Sequence, residues 1–413
     1  MDVRAREATR RAALRRIPGL DGLRAIAVTG VLLFHGGWTG APGGFLGVDL
    51  FFVLSGFLIT TLLLEEARRR GTVDVVAFWA RRARRLLPGL LLVIMTTVVV
   101  FTGFPTSADP RELRSAAFAA LLYVANWHFL VIGDGYFEQL DVPSPLLHTW
   151  SLSIEEQFYA VWPVLLMVAI VLRVPRLIVA TGVAVAALAS AAWMAYLDFQ
   201  GAGVDRLYYA TDTRAFTILV GVVTALLLVG RADGPPGRRR RVRSDRAPVA
   251  TSFACLALVG VVAALSLVPA EDARLYRGGL ALFSVVCAVL VAAVAASPLG
   301  AVTRALELAP MRSVGILSYS LYLWHWPVFL FVSGSRTSLS GLSLLTVRMA
   351  ATAALALASY RLVELPVRRS VRRPRHLVVL PLAVLAAVYF GAAKLGLSMA
   401  IVAEQVTAVW PPT

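Results

Sequence analysis

The 413-residue sequence has one lysine, Lys394, and few carboxylates: 24 Asp and Glu face 40 basic residues, and only 15% of the chain is charged. Soluble globular domains carry about a quarter of their residues as charge, so a water-soluble body is excluded. The 2 cysteines, Cys255 and Cys287, lie inside different apolar runs. That excludes a disulfide scaffold or a cysteine metal site and predicts two small buried hydrophobes. No internal repeat of the kind found in inverted-repeat transporters is present. The arginine-rich first 18 residues lead to no small-residue cleavage site, so no signal peptide is expected.

What fills the chain is apolar: 58% hydrophobic residues and a mean hydropathy of +0.75. Runs long enough to cross a bilayer, on the order of 20 residues, fall at 20–38, 45–65, 86–104, 151–172, 175–197, 212–230, 249–268, 275–297, 312–333, 341–363 and 376–397. The expected fold is an all-α polytopic integral membrane helical bundle of about eleven spans. A shorter run, 115–131, ends in Asn126 and His128. Arginines are retained in cytoplasmic loops, so they decide whether it crosses. Forty basic residues less the lysine leave 39 arginines. If 115–131 does not cross, 31 lie on the side of the N-terminus, 6 lie opposite, and Arg214 and Arg348 fall within spans. If it crosses, the split is 18 against 19. The first arrangement predicts the N-terminus inside, the C-terminus outside, and 115–131 as a re-entrant or interfacial helix. It divides the chain into a basic cytoplasmic N-terminus (1–18), a membrane domain (19–375) with an Arg-rich cytoplasmic linker (231–247), a final span (376–397) and a short outer tail (398–413). The net charge of +16 then reads as cytoplasmic loops against anionic membrane lipid and not as a nucleic-acid surface.

Within the first run, "GLRAIAVTGVLLFHGG", Arg24 and His35 stand eleven positions apart. Eleven steps of about 100° come within roughly 20° of whole turns, so both share one helix face about 16 Å apart along the axis. An arginine at a helix end snorkels; a histidine inside a span usually faces a polar cavity or marks a site. "GGFLGVDLFFVLSGFLIT" puts Asp49 at the outer mouth of the second run, where Ser55 and Gly56 suit close helix packing. "FWARRARRLLPGL" gathers Arg81, Arg82, Arg84 and Arg85 ahead of Pro88, which suits a helix start. Positive-inside charge accounts for about half of that cluster. "HTWSLSIEEQFY" begins a span with His148, Glu155 and Glu156. Adjacent carboxylates in an apolar helix need partners, and His148, His35, Arg214 in "TDTRAF" and His325 in "SYSLYLWHWPV" are available. Ser318, Tyr322 and His325 share a face.

These motifs, together with a final "ELPVRR", resemble in order the membrane acyltransferase family 3, from about Gly19 to Arg369. The resemblance implies a bacterial cytoplasmic-membrane O-acyltransferase. It would move an acyl group, commonly acetyl, from cytoplasmic acyl-CoA to a hydroxyl of a glycan, glycolipid or small molecule of the macrolide type. It carries functional importance to Arg24, His35, Asp49, Arg82, Arg85, His148, Glu155, Glu156, Arg214 and His325. The chemistry is workable without it: Arg24, Arg82 and Arg85 hold phosphates, His35 or His325 acts as general base or acyl carrier, and Arg214 or Tyr322 stabilises an oxyanion. No metal is expected. Relatives that modify envelope glycans often carry an extracytoplasmic esterase-like domain after the last span, so acceptor recognition is expected either in the membrane domain or in such a domain, separate or truncated. A transporter using embedded His, Glu and Arg is the alternative.

Overall fold

The computed structural model describes residues 17–104, 109–133, 143–229, 247–270 and 272–369. The linker, the final span at 376–397, the tail and nearly all of the N-terminal segment, expected from the sequence, lie outside the described residues. In chain order the helices are α1 (Leu20–His35), α2 (Gly47–Arg70), α3 (Val75–Gly103), α4 (Pro110–Leu121), α5 (Ala125–Ile132), α6 (Thr149–Val171), α7 (Arg176–Phe199), α8 (Val204–Tyr209) and α9 (Thr211–Val229). They continue as α10 (Ala247–Leu267), α11 (Gly279–Ala296), α12 (Ala301–Leu306), α13 (Ala309–Phe331), α14 (Gly334–Thr337) and α15 (Gly341–Ser359), then a π-helical turn (Tyr360–Glu364) and α16 (Leu365–Arg369). Among the described residues nine helices are long and apolar enough to cross a membrane, and no strand occurs. The protein is an all-α polytopic membrane bundle. The first expected span, α1, has 16 residues and is shorter than that group because Gly36 and Gly37 end it, Gly37 in a left-handed conformation.

The 86–104 reading needs correction at its start. Asp74 caps α3 by accepting the Ala77 amide at 2.9 Å, so the helix begins about three turns earlier than expected. Pro88 lies inside it rather than at its first turn. The arginine cluster is therefore helical, and its spacing sorts it. Arg81 pairs with Glu66 at 2.9 Å and Arg84 bonds the Ala80 carbonyl at 2.8 Å, both on the exposed side. Arg82 and Arg85, three apart, turn inward.

The run at 115–131 is broken at Tyr123, a non-glycine residue with φ 56°. Ser115 Oγ lies 3.3 Å from His128 Nε2. On one continuous helix, thirteen positions would separate them by about 20 Å, so α4 and α5 fold back on one another as a hairpin. Its tip is held by a closed polar network: Gln157 Nε2 donates to the Tyr123 carbonyl (2.9 Å) and to Asn126 Oδ1 (3.0 Å), Asn126 Nδ2 donates to the Tyr209 carbonyl (3.1 Å), and Thr211 donates to Gln157 Oε1 (2.6 Å).

Glycines set the closest helix contacts. A Cβ added at Gly56 would collide with the Ile218 carbonyl and one at Gly221 with the Val53 carbonyl, so α2 and α9 touch backbone to backbone. Gly315 is pressed in the same way on Asp21, which seats α13 along α1, and Gly22 is pressed on Leu306 at the end of α12. Cys287 is buried as expected, but Cys255 is exposed: one face of α10 has no partner among the described residues, and Phe253, Leu256 and Val259 share its exposure.

Asp49 and Arg214 meet between α2 and α9. Arg214 Nη2 donates to Asp49 Oδ1 at 2.9 Å with both side chains wholly buried. Thr217 donates to the same oxygen at 3.4 Å, and the guanidinium stands 4.7 Å from the Tyr208 ring centroid. Removing one partner of such a pair strands the other charge, at a cost of about 3–5 kcal/mol. Asp49→Ala should therefore lower the unfolding midpoint in detergent steeply, while Asp49→Leu combined with Arg214→Met should recover most of the loss. An Asp49→Ala protein as stable as the parent would end the structural reading of this pair.

The arginine distribution makes a separate prediction about sidedness. In a background without Cys255 and Cys287, an impermeant thiol reagent applied to intact cells should modify a cysteine placed at the exposed Ser335 and spare one placed at Gly237. The reverse pattern would mean that the hairpin segment crosses the membrane.

Candidate active site

One cavity of about 260 Å³ runs into the bundle from Ile17, Asp21 and Arg24 at one end of α1 to Ser151 and Tyr322 near its middle. At its mouth Arg24, Arg82 and Arg85 converge from α1 and α3. Arg82 lies 3.9 Å over the Tyr159 ring, with Glu156 Oε1 4.0 Å from its Nη2. Arg85 has no hydrogen bond or ion pair to any described residue, and its Nε, like that of Arg82, is buried without a partner among them. A guanidinium enclosed in this way calls for an anionic ligand.

Glu155 and Glu156 line the same cavity. The histidines and Arg214 considered for them from the sequence are not their partners. Glu155 accepts from Ser55 (2.8 Å) and from the Tyr159 hydroxyl (3.5 Å), and Glu156 has Arg82. The reason is register: seven and eight positions along α6 put them about 10–12 Å below His148. Asp49 and Arg214, bound to each other, are absent from the cavity wall.

Beyond the closed end of the cavity sit three histidines. His325, wholly buried, has Nδ1 2.6 Å from the Tyr322 carbonyl. A carbonyl only accepts, so this nitrogen carries the proton and Nε2 carries the lone pair. His35 Nδ1 lies 2.9 Å from that Nε2 and must donate to it, which leaves the lone pair of His35 on its own Nε2. The two rings stack with centroids 5.0 Å apart, and Trp326 meets His35 edge-on at 4.8 Å while donating to the Ser144 carbonyl at 2.9 Å. His148 approaches His325 with ring centroids 5.6 Å apart. Neither of its ring nitrogens has a hydrogen-bond partner among the described residues.

Tyr322 separates cavity and histidines. Its hydroxyl donates to the His148 carbonyl at 2.9 Å and lies 2.6 Å from Ser151 Oγ. Phe51 meets its ring edge-on at 6.4 Å. The final "ELPVRR" motif lies at the π-helical turn, where buried Glu364 accepts from Ser320, from Ser359 (3.4 Å) and from Arg368 (3.1 Å). The sequence reading thus gathers Arg24, Arg82, Arg85, Glu155, Glu156 and Tyr322 on one cavity and His35, His148 and His325 just past its end. It missed Ser151, one turn from His148, and Tyr123, whose place in the cavity wall depends on a left-handed turn that no local residue announces. Among the described residues no group of three or more His, Cys, Asp or Glu could hold a metal ion.

Residues 17–363 match the model of a family described as an acyltransferase domain. The chain is 35% identical over 370 residues to the peptidoglycan O-acetyltransferase OatA of Listeria monocytogenes, covering 88% of this chain and 57% of that protein. It is 38% identical over 366 residues to a putative peptidoglycan O-acetyltransferase, YrhL, of Bacillus subtilis, covering 86% and 55%. Against the O-acetyltransferase OatA of Staphylococcus aureus it is 35% identical over 359 residues, covering 86% and 58%. The chain thus spans little more than half the length of these relatives. No solved structure matches it. The match over most of its length, on a bundle whose polar side chains converge on one cavity, makes the chain a member of acyltransferase family 3.

Proposed function

We propose that the protein is a bacterial membrane O-acyltransferase that takes an acetyl group from cytoplasmic acetyl-CoA and delivers it to a hydroxyl of the cell-wall glycan. The observation that carries the reading is the cavity that leads from Arg24, Arg82 and Arg85 toward the hydrogen-bonded pair His35 and His325. Enclosed guanidinium groups suit the phosphates of CoA. A pantetheine arm suits the length of cavity between the arginines and Tyr322, behind which the histidines lie. The printed names of the relatives support acetyl and peptidoglycan as group and acceptor.

In the proposed reaction His35 Nε2 accepts the proton of the acceptor hydroxyl as its oxygen attacks the thioester carbonyl. Nδ1 keeps its bond to His325, which the Tyr322 carbonyl holds in one tautomer, as a third group orients the base in other acyl-transfer sites. The oxyanion takes a hydrogen bond from the buried N–H of His148. Collapse of the tetrahedral species breaks the C–S bond, and the proton on His35 passes to the departing sulfur. Glu156 and Tyr159 hold Arg82 beside the donor, and Glu155 holds the Tyr159 hydroxyl. Asp49 and Arg214 serve the fold.

His35→Asn should keep its fold and its affinity for CoA close to the parent while slowing acetyl transfer by about 100-fold or more, the usual reach of general-base catalysis. Most activity retained in a well-folded variant would remove His35 from the chemistry. Arg85→Ala should weaken CoA binding by about 1.5–3 kcal/mol through loss of a charge-assisted contact. Calorimetry on the purified protein measures it, and an unchanged affinity would return Arg85 to a topological role.

A further inference from the structure

Among the residues that line the cavity, Ser318 stands out by what it does not do. Some serines and threonines inside these helices return the hydroxyl to the carbonyl four positions back, as Thr102, Ser153, Thr224, Ser284 and Thr346 do. Thr61, Thr97 and Thr352 have buried hydroxyls without a partner among the described residues but do not line the cavity. Ser318 is wholly buried, its Oγ has no hydrogen-bond partner among the described residues, and it faces the cavity. A buried hydroxyl kept without a partner is disfavoured unless something entering the site supplies the acceptor.

Its position narrows what that acceptor can be. Ser318, Tyr322 and His325 occupy i, i+4 and i+7 on one face of α13, so Ser318 lies about 6 Å below Tyr322 and about 10 Å below His325 along the axis. The arginines stand at the mouth. Between the arginines and Tyr322 the cavity wall includes apolar Phe51, Phe52, Leu54 and Leu152. A thioester donor lying along this path has its phosphates at the arginines and its acyl carbon toward the histidines. What passes Ser318 is the linker, whose amide carbonyls lose water here and need a donor.

We propose that Ser318 is a donor-binding residue whose hydroxyl donates a hydrogen bond to an amide carbonyl of the pantetheine arm. The inference rests on the acyl-CoA reading above and adds to it a contact between the phosphate and thioester ends. It gives the site a means of telling a long amide-bearing thioester from a short one, because only the former offers the hydroxyl an acceptor at this depth.

The test is equilibrium binding to the full chain in nanodiscs of two probes: CoA, and adenosine 3′,5′-bisphosphate, which has phosphates and no arm. Ser318→Ala should raise the Kd for CoA about 5–10-fold, the reach of one hydrogen bond, and leave that for the bisphosphate within about twofold. Ser318→Cys, close in volume but a weaker donor, should fall between parent and alanine variant. Arg85→Ala should weaken both probes. CoA affinity unchanged in Ser318→Ala would mean that water satisfies the hydroxyl and would overturn the proposal while the donor reading stands. Equal losses for both probes would mean a distorted mouth and would also overturn it. A parent protein that binds neither probe would overturn the donor reading itself, and this inference with it.

Discussion

The hydrogen bond between His35 and His325 joins α1 to α13 at one end of a long seam, and the backbone contact of Gly315 with Asp21 closes the seam at the other, beside which Gly22 packs on Leu306 of α12. Neither works alone. Without the glycines the helices would be held apart by side chains, and an imidazole reaches only a few ångströms. Without the hydrogen bond two buried rings would each leave a polar nitrogen to be satisfied in a medium that offers no water. The same seam explains where the cavity lies: α1 and α13 close along one wall, α6 and α2 supply the facing wall, and α3 with its inward arginines closes the mouth.

A low-dielectric interior sorts the charged side chains of this chain into two kinds. Asp49 and Arg214 are matched to each other and withdrawn from the cavity, and Glu364 is matched to Arg368 and two serines. These stabilise one packing of the helices. Arg85 has no such match. The structural pairs also leave polar atoms, Asp49 Oδ2, Arg214 Nε and Nη1 and Arg368 Nε, without a hydrogen-bond partner among the described residues, but each of those groups has an opposite charge beside it and Arg85 has none among them. Ser318 differs from Thr61, Thr97 and Thr352, whose buried hydroxyls also lack a partner among the described residues, in that it lines the cavity.

Much of this was legible in the sequence because its signals are those of the bilayer and the helix. Apolar runs of about 20 residues gave the helices, and eleven positions between Arg24 and His35 gave a common face. Arginine spacing separates 82 and 85 from 81 and 84 once the helix is known to run through them. The start of α3 was hidden because Pro88 after a cluster of arginines looks like a first turn, whereas the cap at Asp74 holds the helix from much earlier. The partners of Glu155 and Glu156 were misassigned for another reason. Sequence lists the cations that exist, but depth along α6 decides which of them a carboxylate can reach, and the histidines are about two turns too far. The left-handed turn at Tyr123 depends on Gln157 and Asn126 from outside the turn, so tertiary contacts, not local residues, bring that ring to the cavity.

In the proposed reaction the base, His35, is oriented by a second imidazole rather than by a carboxylate, and the membrane gives a physical reason. A carboxylate beside His35 would have to be charged and buried through every stage of the cycle, with the desolvation that entails. The series from the Tyr322 carbonyl through His325 to His35 fixes the same tautomer with neutral groups. It develops charge only when an acceptor gives up its proton. Carboxylates are available nearby, yet Glu155 and Glu156 are spaced along α6 so that they meet the arginine end of the cavity. Under the proposed function the bundle keeps its permanent charges at the donor's phosphates and its transient charge at the reacting carbonyl, about 16 Å apart on one face of α1, with Tyr322 between them.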